Sequence, residues 1–285
     1  RLPMGSACVD HPADRISLFS QSLFALSLDA AVEATAELGF PAIELACRAP
    51  HFDVDLARTD AANVARHIRD AGLSVSALSL FNSFTEEGSL DRQVDEAVTF
   101  IRLAPLFGAS VVKLTPGPPS SSEATEFHWR LLGDAMRRLV VVANDLGVRL
   151  AFETHMRQLT DTLAGTLRLL DIAPSDTVGL TVDFSNFRFA GEDLREAIPA
   201  VGSRMLNAHV KNGVLGPDGA WLFDRLDTGL TDYAELLALL RNAEYSGYLA
   251  IECLGPDAAE RPIETARRDK AILQKYIDQT SYARA

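Results

Sequence analysis

Cysteine is scarce. Three residues (Cys8, Cys47 and Cys253) stand far apart with no C-x-x-C pair, which excludes a disulfide framework and a cysteine-rich zinc site and fits a reducing compartment. No G-x-x-x-x-G-K-[ST] loop occurs, and the first strand-like stretch, "SLFSQSLFALS", has no glycine to cradle a phosphate or dinucleotide. No apolar run reaches the roughly 18 residues that span a bilayer, and the opening "RLPMGSACVDHPADR" lacks the apolar core of a secretory signal. The expectation is a cytoplasmic protein that does not enter membranes, although a first residue of Arg leaves a trimmed start open. Basic residues are also short. Twenty-seven Lys and Arg against 39 Asp and Glu leave a net charge of −12, the wrong sign for a phosphate backbone, so nucleic acid is excluded as the expected partner.

What is present is a steady alternation. The 285 residues are 47% hydrophobic and 23% charged, ordinary for a chain that buries one large core. Short apolar runs at 15–21, 42–47, 74–81, 110–116, 148–155, 178–185, 205–212 and 247–255 read as eight strands. Between them lie stretches with apolar residues every three or four positions. "DAAVEATAELGF", "AANVARHIRDAGL" and "EFHWRLLGDAMRRLVVVANDLG" each run to a glycine stop, and further helices fit 91–107, 160–172, 192–201, 232–243 and 263–277. Eight β-α repeats are the count of a single (β/α)8 barrel, here 15–285 behind an N-terminal extension of 1–14. "TPGPPSSSE" reads as a loop within that barrel, since no compositional break marks a second domain.

One strand breaks its own pattern. In "LNAHVKN" the two-residue period of a strand puts Asn207, His209 and Lys211 on one face, where burial costs several kcal/mol unless the charges are paired or metal-bound. The same parity puts Glu153 and His155 on one face of "LAFETH", Asp183 on one face of "LTVDFS", and Glu252 on one face of "LAIECL". Glu153, Asp183, His209 and Glu252 follow one another at intervals of 30, 26 and 43 residues, roughly one repeat each, so in a barrel they converge at the C-terminal mouth. Three carboxylates crowded together repel unless a cation neutralises them. A shell of three oxygen donors and one imidazole favours Mn²⁺, with Mg²⁺, Co²⁺ and Zn²⁺ as alternatives.

The pieces "ELGFPAIEL", "AFETH", "LTVDFSN", "LNAHVKN" and "DTGLTDYAELLALLRNAEYSGYLAIE" together resemble the xylose isomerase-like TIM-barrel superfamily of sugar isomerases and epimerases, which also includes inosose dehydratases and endonuclease IV. The resemblance runs from about Ser17 to the last helix. It implies one divalent ion held by Glu153, Asp183, His209 and Glu252, with Glu153 and Glu252 as acid/base groups on either side of a small sugar, ketose or polyol. The expected chemistry is proton abstraction next to a carbonyl, with the metal polarising that carbonyl and stabilising the enediolate. Returning the proton gives isomerisation or epimerisation; expelling a β-hydroxyl makes the same site a lyase of the keto-inositol type, and a non-catalytic carbohydrate-binding barrel is a third reading. Ketose epimerases carry His where this chain has Asn186, and Arg where it has Lys211, so Lys211 becomes a candidate substrate contact. Endonuclease IV needs more His and acidic ligands than six His provide, with His11, His67 and His128 away from the strand ends.

Further substrate-binding candidates are His155 just above the metal, His51 after the second strand, and Arg225 in the long stretch after strand seven as a clamp for an anion. Glu44 and Lys113 share inward parity and are expected to pair inside the barrel. Phe19, Phe81 and Trp221 are expected to form an apolar wall against sugar C–H faces. Barrels often pair through exposed helices, so a homo-oligomer is an open expectation.

Overall fold

The computed structural model describes residues 12–173 and 176–282; Cys8, His11 and most of the expected extension lie outside the described residues. Eight parallel strands form one closed barrel. In chain order these are β1 (Ile16–Phe19), β2 (Ala42–Ala46), β3 (Ser74–Ser79), β4 (Val111–Leu114), β5 (Arg149–Glu153), β6 (Val178–Asp183) and β7 (Met205–Val210). After β8 (Asn212–Leu215) and β9 (Trp221–Asp224), the barrel resumes with β10 (Leu249–Ile251), which pairs with both β7 and β1 and closes the ring. The fold is a (β/α)8 barrel, as the repeat count implies.

The strand sequences explain the two layers. Alternate residues facing outward are large and apolar, among them Leu18, Ile43, Leu78, Val112, Phe152, Val182 and Ile251, and they pack beneath the helices in the main core. Residues facing inward are mostly small or polar, with Phe19 the large exception beside His209. Ala77, Val111 and Ala151 form a separate apolar cluster inside the barrel, and Ser17 and Ser76 share a 2.7 Å hydrogen bond there. Small residues low in the barrel leave the interior volume near the C-terminal ends for charged side chains.

Helices occupy the expected stretches. The long helix Glu126–Leu146 stops at Gly147, whose φ of 66° is the left-handed conformation that closes a helix with little strain only for glycine. Among the elements not expected, two stand at the C-terminal mouth. A short helix, Phe184–Phe189, begins directly at the end of β6, and β8 and β9 form an antiparallel hairpin. The strand expected over 205–212 therefore ends at Val210, and Lys211 is the corner between barrel and hairpin. Among the described residues no helix is long and apolar enough to cross a membrane.

Candidate metal centre

Three of the four expected ligands meet. One ligand atom each from Glu153, Asp183 and His209 lies within 4.8 Å of the others, all three residues buried at the C-terminal ends of adjacent strands. The register places them. Asp183 and His209 are direct partners across β6 and β7, and Glu153 is the partner of Thr181, two residues before Asp183 on the same face.

Each candidate ligand is held by a specific device. Asp183 caps the short helix after β6: one carboxylate oxygen accepts from the Asn186 backbone N–H at 3.0 Å, which fixes the χ angles and turns the second oxygen toward the cluster. Thr154, after β5, accepts from the Asp183 N–H at 2.8 Å and ties the two strand ends together. Both nitrogens of His209 are engaged by carboxylates. Nε2 lies 2.7 Å from Glu44 Oε1, while Nδ1 faces Glu153 Oε1 at 3.2 Å, and the Phe19 ring stacks on the imidazole with centroids 5.0 Å apart. Glu44 is completely buried and also accepts from Asn207 at 2.9 Å.

The expected Glu44–Lys113 pair does not form. Lys113 instead donates to Glu153 Oε2 at 2.9 Å, its ammonium 4.7 Å from the centre of the Phe81 ring. Shared parity says that both side chains point inward; it does not say which strand each reaches across the barrel.

Glu252 stands outside the three-residue cluster. Ala250 is the partner of His209, so Glu252, two residues on, falls beside Lys211, and its backbone N–H bonds Val210 at 3.0 Å. Lys211 donates to Glu252 Oε2 at 2.8 Å. It also lies 2.8 Å from Asp183 Oδ2, so its ammonium sits between the two carboxylates. Gln21 reaches the other oxygen of Glu252 at 3.3 Å. The Lys211 carbonyl is itself fixed by the hydroxyls of Ser185 and Tyr233.

These contacts set the electrostatics. Burial raises the Glu153 carboxyl, but Lys113 and His209 outweigh it and hold the group well below its ordinary range. Burial, with Glu252 and Glu153 close by, carries Asp183 above its ordinary value despite Lys211. His209 is lowered by burial and raised further by Glu44 and Glu153, for a net value well above that of a free imidazole. Burial works against the Lys211 ammonium, yet Asp183 and Glu252 keep it charged.

The donor set fits a divalent cation. Glu44, Glu153, Asp183 and Glu252 face Lys113, Lys211 and a His209 whose pKa these carboxylates raise; a cation that displaced the His209 proton would meet four carboxylates against two ammonium groups, an excess of two negative charges. The Glu153 and Asp183 carboxylates and the His209 imidazole bring together ligand atoms of the type that hard divalent ions take. Glu44 on His209 Nε2 is placed as an outer carboxylate that orients a metal-binding imidazole, and Nδ1, on the Glu153 side, would be the nitrogen left for a cation.

The remaining candidates lie elsewhere. His155 is half-buried at the end of β5, with Nδ1 2.8 Å from the Met156 carbonyl. His51 is only 3% exposed, with Nδ1 on Ser20 Oγ at 3.1 Å and Nε2 on the Leu26 carbonyl at 3.2 Å, so it anchors one mouth loop to another. Arg225 is bound in bidentate fashion by its neighbour Asp227 at 2.9 Å. Phe19 and Phe81 stack at 6.2 Å beside the cluster, and Trp221 lies on the hairpin under the Arg157 guanidinium.

Residues 32–276 match the family model of the xylose isomerase-like TIM barrel. The chain belongs to that family. An inosose dehydratase of Bacillus cereus (strain ZK / E33L), "Inosose dehydratase 2", is 24% identical over 165 residues, covering 53% of this chain and 55% of that protein. The chain thus spans about half the length of the curated relatives it matches. Among solved structures, L-ribulose 3-epimerase superposes with a TM-score of 0.77 at 21% identity, over 94% of this chain and 96% of that one. The IOLI protein with a bound zinc atom gives 0.78 at 18% identity, over 92% and 99%. These structural likenesses establish the fold.

Proposed function

We propose that this family member is a divalent-metal-dependent isomerase or epimerase of a small sugar, ketose or polyol. The observation that carries the reading is the convergence of Glu153, Asp183 and His209 within 4.8 Å at the buried ends of three adjacent strands. Glu153, Asp183 and His209 would hold the ion, with Glu252 nearby to complete the shell; Mn²⁺ suits the donors best, and the zinc in the IOLI structure keeps Zn²⁺ as an alternative. A bound divalent ion supplies Lewis acidity to a substrate carbonyl and its neighbouring hydroxyl.

The chain's own residues supply the rest. Lys113 keeps Glu153 ionised, the state needed to take a proton from carbon. Glu252, on a different strand, is placed to deliver or accept a proton from another side, while Lys211 holds it in position. Phe19 and Phe81 present ring faces that exclude water beside the site and receive the apolar face of a sugar.

A second reading, a lyase that expels a β-hydroxyl from the same intermediate, draws support from the match to inosose dehydratases. The deciding experiment incubates metal-loaded protein with a panel of ketoses and inososes in D₂O. Deuterium at the carbon next to the carbonyl supports proton abstraction, and an accompanying conjugated-carbonyl absorbance selects the lyase. No exchange and no turnover across the panel would refute both.

A further inference from the structure

Arg225 was the sequence's candidate for an anion clamp, but Asp227 already occupies its guanidinium. Acidic partners likewise hold Arg137, Arg138, Arg168 and Arg195. Two exposed arginines that follow barrel strands rest on aromatic rings instead, Arg48 over Phe81 at 4.9 Å and Arg157 over Trp221 at 4.6 Å, and among the described residues neither is ion-paired to a carboxylate. Arg157 lies four residues after Glu153. In a chain of net charge −12, a cation left without an acid beside the site is available to a ligand.

The backbone around it is built to hold this position. Arg157 has a φ of 59°, a left-handed conformation that a non-glycine residue adopts at a cost of about 1 kcal/mol or more. The neighbouring residues are pinned: Gln158 accepts from the Gly117 N–H at 3.0 Å, the Leu159 N–H bonds the Gly117 carbonyl at 3.1 Å, and Thr160 donates to the Glu153 carbonyl at 2.6 Å. The platform is fixed in turn. Trp221 and Phe223 share one face of β9, and the Phe223 ring lies 5.5 Å from Lys211 Nζ. One same-face step of about 7 Å therefore separates the aromatic ring above Lys211 from the one beneath Arg157.

We propose that Arg157, laid on Trp221, is the binding group for an anionic substituent of the substrate, foremost the carboxylate of a sugar acid or hydroxy-keto acid. The reacting end of such a substrate sits at the carboxylate cluster, and its charged end reaches the free guanidinium edge, which offers paired N–H donors while the ring face rests on indole. A sugar phosphate shares this chemistry and is the other source of the anion. The assignment rests on the sugar-enzyme reading of the same site and narrows its substrate class.

The test measures binding, so it stands apart from turnover. Mn²⁺-loaded wild type, Arg157→Ala, Arg157→Lys and the surface control Arg137→Ala are titrated with a neutral ketose, the corresponding keto-sugar acid and the ketose phosphate, by calorimetry and by tryptophan fluorescence. The expected result is at least about tenfold tighter binding of an anionic ligand than of the neutral one in wild type, as for a charge-assisted pair. That preference disappears in Arg157→Ala, partly survives in Arg157→Lys and is unchanged in Arg137→Ala, with a fluorescence change on binding only where Arg157 is present. A higher affinity for the phosphate than for the carboxylate would assign the anion as phosphate. Equal affinity for neutral and anionic ligands, or a preference that survives Arg157→Ala, overturns the assignment. Anion preference without deuterium exchange would defeat the isomerase reading and leave the clamp; exchange of a neutral ketose without anion preference would do the reverse.

Discussion

At the scale of single residues, the site is organised by partners that parity alone does not reveal. Glu44 is the clearest case: it is fully buried, on the far side of the barrel in sequence, and holds His209 Nε2 at 2.7 Å. Outer carboxylates of this kind set the orientation and basicity of a metal-binding imidazole, and altering them commonly weakens metal affinity 10- to 100-fold. Glu44→Gln is predicted to weaken Mn²⁺ binding by about that factor, measured by calorimetric titration, with the fold retained in circular dichroism. Unchanged affinity would remove Glu44 from the metal centre. The sequence made Glu153, Asp183 and His209 legible because an ionisable residue at a buried strand end is costly without compensation. It paired Glu44 with Lys113 wrongly because the strands tilt and the ring closes, so a side chain's partner depends on register and diameter as well as on face.

At the scale of elements, the mouth loops and hairpin decide what lies above the carboxylate cluster. His51 anchors the loop after β2 through Ser20 and Leu26, and burial lowers its pKa below the ordinary imidazole value of about 6.5. Below that pH the unfolded chain takes up a proton that the folded ring resists. The unfolded state then binds more protons, so stability falls as pH drops beneath about 6.5 and this group adds no slope above it. The melting temperature of wild type is predicted to fall on acidification from about pH 7 to 5.5 more steeply than that of His51→Gln; parallel slopes would contradict the assignment.

The hairpin has its own anchor. Gly229, at a φ of 149°, approaches so closely that an added Cβ would stand 2.2 Å from Asn212 Oδ1 and 2.4 Å from the Gly213 backbone. Gly229→Ala is predicted to displace the hairpin, cutting kcat/KM by about tenfold or more through misplaced substrate contacts while leaving Mn²⁺ affinity intact. Loss of metal affinity in step with activity would contradict that division of labour. The hairpin itself was readable in retrospect: "GPDG" between "NGVL" and "AWLFD" is a turn flanked by apolar runs. Placing the whole stretch in a strand-to-helix connection obscured it.

At the scale of the molecule, the barrel brings four acidic side chains from β2, β5, β6 and the end of β10 against two lysines and a histidine. The repeat count made this architecture legible, since apolar outer faces and glycine-stopped helices recur along the chain. The charge balance was not legible, because Lys113 and Lys211 find their partners only once the ring closes. A divalent ion that binds the folded site and not the unfolded chain stabilises by mass action, about 2.7 kcal/mol at a hundredfold excess over Kd. Chelation is therefore predicted to lower the melting temperature and Mn²⁺ to restore it, with the response lost in Asp183→Ala. The most direct measurement of the central claim is anomalous diffraction from crystals grown with Mn²⁺. The account predicts a peak within coordination distance of Glu153, Asp183 and His209; a barrel with no peak there, or with the metal bound only elsewhere, would contradict it.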